Sequence, residues 1–385
     1  MKTENASERL HLSLIDLARN YENPNSGEYT FDERALGKGT WVVIINTGFN
    51  WEQFPEEFGR PDDPRPLRIW RVPSHVRNRQ LSAHEVEAGY FLPEDDLDYG
   101  LPFEGAPEGH GTQTAMLAAG LVKGVAREAG LYMIKAGGAI LNQEGEVIEE
   151  DICADALLVA LHHVIEKLRD ETLTKGKTVV VIDTLWSAEG MESWTDQVEQ
   201  VFSTLDSLGV VVATSAGNDG KEAPSICTGS KGQLAKITSA GSLAVPITCY
   251  AMGKGVKIID LSVEEDTKQD GTTFSVAIVG GLLACYLSHP DFPERFKWTA
   301  GDLKGRTVGN RIKKWLFTEG QGSYQRVSPG NILDEPGSDW SNYPIPARVN
   351  TAYNYAHGDQ GRQIARQVAK GRNDAGFPLV SGDDL

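Results

Sequence analysis

The sequence predicts an α/β fold, a parallel sheet covered by helices, and two observations carry that reading. The first is a set of short, continuous apolar runs rich in β-branched residues: WVVII at 41–45, GLYMIKAGG at 130–138, TVVVID at 178–183 and GVVVAT at 209–214. Runs without polar alternation suit strands buried on both faces, as in a parallel sheet. The second is the helical patterning between them, at 113–121, 152–168 and 194–208. In the middle one, Leu157, Leu158, Leu161, Val164, Ile165 and Leu168 fall on one stripe at helical spacing. Strands alternating with helices of this size close into a parallel sheet with helical layers. The 385 residues allow one large domain or two small ones, with ample chain for a core.

In chain order, residues 1–38 hold one amphipathic stretch, with Leu10, Leu14, Leu17 and Ala18 at helical spacing, broken by NPNSG at 23–27. They read as an N-terminal extension packed on the main domain, which runs from 39 to 357. The first strand of that domain ends in the turn Asn46-Thr47-Gly48. Residues 50–108 are rich in Pro, Asp, Glu and Arg, lack clear periodicity, and read as a surface excursion. Residues 358–385 read as a polar C-terminal tail.

Composition excludes several functions. With 37 basic and 54 acidic residues the formal charge is −17, which is wrong for binding nucleic acid or anionic lipid surfaces. No run approaches the roughly 20 apolar residues of a membrane-spanning helix, and the first residues lack the apolar core of a secretory signal. Cys153, Cys227, Cys249 and Cys285 have no CxxC spacing and read as free thiols in a reducing cytoplasm. The acidic runs at 94–98 and 264–266 lack EF-hand spacing, so neither metal nor other cofactor is expected. No sequence feature indicates an oligomeric state.

Four segments each end a strand or open a helix, where α/β proteins place their chemistry. They are IINTG at 44–48, EGHGTQTAMLAAG at 108–120, ATSAGND at 213–219 and DGTTFSVAIVGGLLA at 270–284. Their order and spacing resemble the subtilisin-like serine peptidases, the S8 family, over about residues 40–357. The resemblance implies a three-layer fold with a mostly parallel central sheet and helices on both faces. It implies a base at His110 and an oxyanion donor at Asn218. It also exposes departures: the acid position holds Asn46, the nucleophile position holds Thr273, and the second His of the base motif is Gln113. VVVIDTLWS at 179–187 resembles the strand that lines the substrate cleft and neighbours the Asn46 strand. The resemblance implies that Asp183 lies toward His110, and it assigns Trp186 and Ser187 of this segment, with Phe274 of the 270–284 segment, to ligand contacts. Asp183 replaces the missing carboxylate only if it lies within about 4 Å of the imidazole.

Each residue also has a purely structural explanation. Asn46 suits a turn after a strand, His110 a structural bond at a helix start, Asn218 a turn, and Thr273 a helix N-cap. The departures have physical consequences. An Asp→Asn change in a serine protease triad costs about 10⁴ in kcat, because the imidazole tautomer is no longer held. Threonine keeps a hydroxyl but adds a methyl and stiffens χ1.

The sequence therefore points to a pseudopeptidase with a degenerate Asn-His-Thr triad, binding a peptide or small-molecule ligand in the former substrate cleft. Two alternatives stand beside it. One is a non-proteolytic enzyme using His110 and Asn218 for acid–base chemistry, such as a lyase, cyclase or acyl transferase. The other is a weak endopeptidase using Thr273. On sequence alone, Asn46→Asp combined with Thr273→Ser is expected to raise hydrolysis of a simple peptide or ester. A folded but inert double variant would count against a merely degenerate triad.

Overall fold

The computed structural model describes residues 1–15, 27–59, 65–78, 80–92, 109–183, 192–215, 235–238, 249–253, 255–302, 307–317, 323–326 and 349–352. Fifteen strands lie among them: β1 (Lys2–Asn5), β2 (Glu28–Phe31), β3 (Trp41–Asn46), β4 (Leu67–Arg71), β5 (Gly130–Lys135), β6 (Gly138–Leu141), β7 (Val147–Asp151), β8 (Thr178–Ile182), β9 (Val211–Thr214), β10 (Ala235–Thr238), β11 (Cys249–Tyr250), β12 (Val256–Asp260), β13 (Glu265–Gln269), β14 (Ser323–Arg326) and β15 (Val349–Ala352). The helices that matter below are α1 (Leu10–Leu14), α2 (His110–Ala119), α3 (Ala154–Arg169), α4 (Glu192–Ser207), α5 (Thr272–Ser288) and α6 (Val308–Phe317).

Nine strands form one sheet in the order β14-β15-β11-β10-β9-β8-β3-β5-β4. Neighbours pair in parallel throughout, except that β14 runs antiparallel to β15. Side chains alternate between the two faces of a strand, and here both faces are apolar. Val42 and Ile44 of β3, with Val179 and Val181 of β8, enter one core together with α2, α5 and α6. Val43, Ile45, Val180 and Ile182 enter the other, under α3 and α4. Helices therefore cover both faces, as the sequence predicts. Helix α5 is buried from Thr272 to Leu287 and apolar all round, the pattern of a core helix. Its Gly281 lets α2 approach closely: a Cβ there would lie 2.3 Å from the Ala118 carbonyl oxygen.

Two sequence expectations change. The excursion at 50–108 contains β4, an edge strand paired with β5. Its five residues, LRIWR, are half-exposed and sit between prolines, so no long apolar run marks them. Helix α2 begins at His110 rather than Gln113, because Gly109 at φ 81° turns the chain directly into it.

The N-terminal residues are tied to the loop after α2. Arg127 makes a paired contact with Glu4 at 2.6 and 2.9 Å and covers the rings of Tyr29 and Phe31. His11 is buried and shares a 2.8 Å hydrogen bond with the Lys123 carbonyl. The C-terminal tail, 358–385, lies outside the described residues.

Burial drives the His11 ring down to a pKa of about 4, with the nearby Arg9, Lys123 and Arg127 charges adding to the shift. Burial also drives His163, stacked on Trp70 and bonded to the Tyr132 hydroxyl, down to about 4. His289 is lowered for the same reason. The unfolded chain binds these protons near 6.5, whereas the folded chain refuses them until about 4. Stability is therefore present above the ordinary histidine value and lost as pH falls toward 4. The urea midpoint is expected to drop steadily between about pH 7 and about pH 5; an unchanged midpoint would show that these rings are protonated without cost.

Candidate active site

The site forms where β3 and β8 end side by side. Their parallel register matches Ile45 with Ile182, so Asn46 and the residue after β8, Asp183, are next in line. Both continue the alternation of Val42, Ile44, Val179 and Val181, and so face α2 and α5. Adjacent strands are about 4.8 Å apart, which two short polar side chains can span. Asn46 is fully buried, and the Asp183 side chain is 2 % exposed.

The Asn46 amide has a defined orientation. Its Oδ1 accepts the Thr47 N–H at 2.7 Å and is 3.0 Å from the Thr47 hydroxyl. Its Nδ2 donates to Thr114 Oγ1 at 3.2 Å and to Asp183 Oδ2. A backbone N–H requires an acceptor and a carboxylate requires a donor, so a flipped amide would lose both contacts. The Thr114 hydroxyl in turn donates to the His110 carbonyl at 2.9 Å, which fixes the first turn of α2.

His110 opens α2. The helix start is pressed against the end of β3, since a Cβ at Gly111 would lie 2.2 Å from the Gly48 oxygen and 3.1 Å from Asn46 Cβ. This places His110 Nδ1 3.3 Å from Asn46 Oδ1 and 3.2 Å from Asp183 Oδ2. The imidazole side chain is 34 % exposed, and among the described residues its Nε2 has no hydrogen bond. The Phe274 ring lies beside it, with centroids 6.3 Å apart. Asp183 lies within the distance set for it on its sequence, and it adjoins both Asn46 and His110.

Thr273 is the second residue of α5 and almost buried. The N-cap is Gly271, which supplies no side chain, so Thr273 does not cap this helix. The next hydroxyl, Ser275, is fully buried and donates to the Ala251 carbonyl at 3.2 Å. Gln113 donates to the Ile259 carbonyl of β12 at 2.6 Å, which ties α2 to the β12–β13 hairpin. Asn218, Trp186 and Ser187 lie outside the described residues. Burial pushes the Cys285 thiol up to about 12, so it is no nucleophile.

Two positioning groups escape a sequence reading. Ser215, directly after β9, donates its hydroxyl to the Asp183 carbonyl at 2.5 Å and its N–H to the Ile182 carbonyl at 3.2 Å. It lies inside the ATSAGND motif, which is the only signal the sequence offers for it. Thr114 sits on the α2 face toward β3, one turn after His110, where helical spacing alone could have drawn attention to it.

No family model matches the chain. It is 22 % identical over 320 residues to Subtilisin-like protease 2 of Trichophyton equinum, a match covering 79 % of this chain and 60 % of that protein. The chain thus spans less than two thirds of that relative. The crystal structure of a cold-adapted subtilisin-like serine proteinase matches with a TM-score of 0.54 and 15 % identity, covering 91 % of this chain and 99 % of that one. The fold is subtilisin-like.

Asp183 alters the outcome expected for Asn46→Asp. A carboxylate at 46 would face that of Asp183 where an amide now donates, and two adjoining carboxyls hold one proton between them. One carboxyl pKa is then raised in the folded chain, so its contribution is present in acid and lost as pH rises through that value. Asn46→Asp is expected to lower the urea midpoint more at neutral than at acidic pH. On the endopeptidase alternative, hydrolysis should gain from Thr273→Ser alone, with Asn46→Asp/Thr273→Ser below it; a better double variant would contradict the contact.

Proposed function

We propose that the chain is a slow acyl-transfer hydrolase of the S8 type, acting on a peptide or ester bond, with Thr273 as nucleophile and His110 as base. One observation carries this reading: His110 Nδ1 lies 3.3 Å from Asn46 Oδ1 and 3.2 Å from Asp183 Oδ2 in a side chain that is 34 % exposed, the arrangement that leaves Nε2 to exchange the proton.

In this reading His110 Nε2 takes the Thr273 hydroxyl proton as the oxygen attacks the substrate carbonyl carbon. The tetrahedral intermediate carries its negative charge on the former carbonyl oxygen. Asn218 is the proposed donor to that oxygen, and such a donor is worth roughly 3–4 kcal/mol. His110 then passes the proton to the leaving amine or alcohol as the carbon–leaving-group bond breaks. Water repeats the sequence on the acyl-threonine and restores the hydroxyl. The Thr273 methyl restricts χ1 and crowds the line of attack, which is why the reaction is slow.

A second reading, the pseudopeptidase, is favoured by a different observation. Thr273 is 5 % exposed, and the ring of the next residue, Phe274, stands beside that of His110. The cleft would then bind a peptide or small molecule without turnover.

A fluorophosphonate probe with mass-spectrometric mapping separates the two. Labelling of Thr273, faster in Thr273→Ser and absent in His110→Ala, is expected for the hydrolase. Absence of labelling in both the native chain and Thr273→Ser, with both folded, would leave the pseudopeptidase.

A further inference from the structure

We infer that Asp183 is the residue that orients His110 and balances its charge, so that the carboxylate of this triad has moved one strand over, from β3 to β8. Its catalytic consequence rests on the hydrolase reading above; its effect on the ring does not.

Two oxygens lie near His110 Nδ1: Asn46 Oδ1 at 3.3 Å and Asp183 Oδ2 at 3.2 Å. They are unequal acceptors. Asn46 Oδ1 already takes the Thr47 N–H, and the Thr47 hydroxyl lies beside it. A hydrogen bond to an ionised acceptor is also about twice as strong as one between neutral groups. The Asp183 carboxylate is buried, so its charge must be met by donors. The Asn46 amide supplies one and the Nδ1–H of His110 supplies another.

Asn46 is thus a partner to the carboxylate rather than a failed acid. A carboxylate at both positions would repel. An amide at both would leave no charge and would let an NH₂ face Nδ1, stabilising the wrong tautomer. One of each satisfies the pair, and in principle the two can be exchanged. When His110 holds the hydroxyl proton on Nε2, the resulting imidazolium faces the Asp183 charge, and Asp183 itself stays ionised. Ser215 holds this arrangement from behind through the Asp183 carbonyl. Asp183 acts through His110 and is a positioning residue.

The test compares the native chain with Asp183→Asn and with Asn46→Asp/Asp183→Asn. Circular dichroism checks folding, imidazole ¹⁵N chemical shifts read the His110 tautomer, and fluorophosphonate labelling reads reactivity. The native ring is expected as the Nδ1–H tautomer. Asp183→Asn should shift it to Nε2–H and slow labelling by about 10³–10⁴-fold. The exchanged pair should restore Nδ1–H and recover more than half of that loss on a logarithmic scale. An unchanged tautomer in folded Asp183→Asn would overturn the assignment. If Asp183→Asn does not fold, the native chain decides: an Nε2–H ring there overturns it, and an Nδ1–H ring restored to the folded exchanged pair supports it. Should the native chain and Thr273→Ser both fail to label while the tautomer follows the exchange, the hydrolase reading falls and the role of Asp183 stands.

Discussion

The amide of Asn46 and the carboxylate of Asp183 meet across two adjacent strands, and the rest of the site is arranged around that contact. A carboxylate this deeply buried is tolerated only with donors in place, because an unmet buried charge is costly. The parallel register of β3 and β8 brings the two residues level. Thr47 and Thr114 fix the amide, and Ser215 fixes the backbone behind the carboxylate. Gly111 allows the start of α2 to come close enough for the His110 ring to complete the cluster.

This polar cluster depends in turn on the apolar layers that support it. The side chains directly before it, Ile44 on β3 and Val181 on β8, are completely buried against the layer that contains α2 and α5. Interiors packed at this density resist small displacements, which suits a site whose parts must hold to fractions of an ångström. Helix α5 carries Thr273 and Phe274 into the same region on a fully buried stem. On the hydrolase reading, the threonine methyl and the 5 % exposure of Thr273 are what slow the reaction.

Much of this was legible in the sequence, for physical reasons specific to each element. The runs that became β3, β5, β8 and β9 are apolar on both faces, the pattern of a covered parallel sheet. The stripe from Leu157 to Leu168 likewise marks α3, which covers the second core. Strand β4 was missed because an edge strand of five half-exposed residues needs no continuous apolar run. Asn46 and His110 could be singled out by position in a motif. The role of Asp183 could only be stated as a condition, since residues 137 apart in sequence become neighbours through a crossover that places β8 beside β3. Ser215 carried only its place in a motif, for a similar reason: its hydroxyl serves the backbone carbonyl just after the neighbouring strand, a contact with no local pattern.

A crystal structure of the native chain at near-neutral pH measures the central contact most directly. The expected result is an Asp183 oxygen within hydrogen-bonding distance of both His110 Nδ1 and Asn46 Nδ2, with Asn46 Oδ1 turned to the Thr47 N–H. An Asp183 carboxylate directed to other donors, leaving Nδ1 bonded to Asn46 alone, would contradict it.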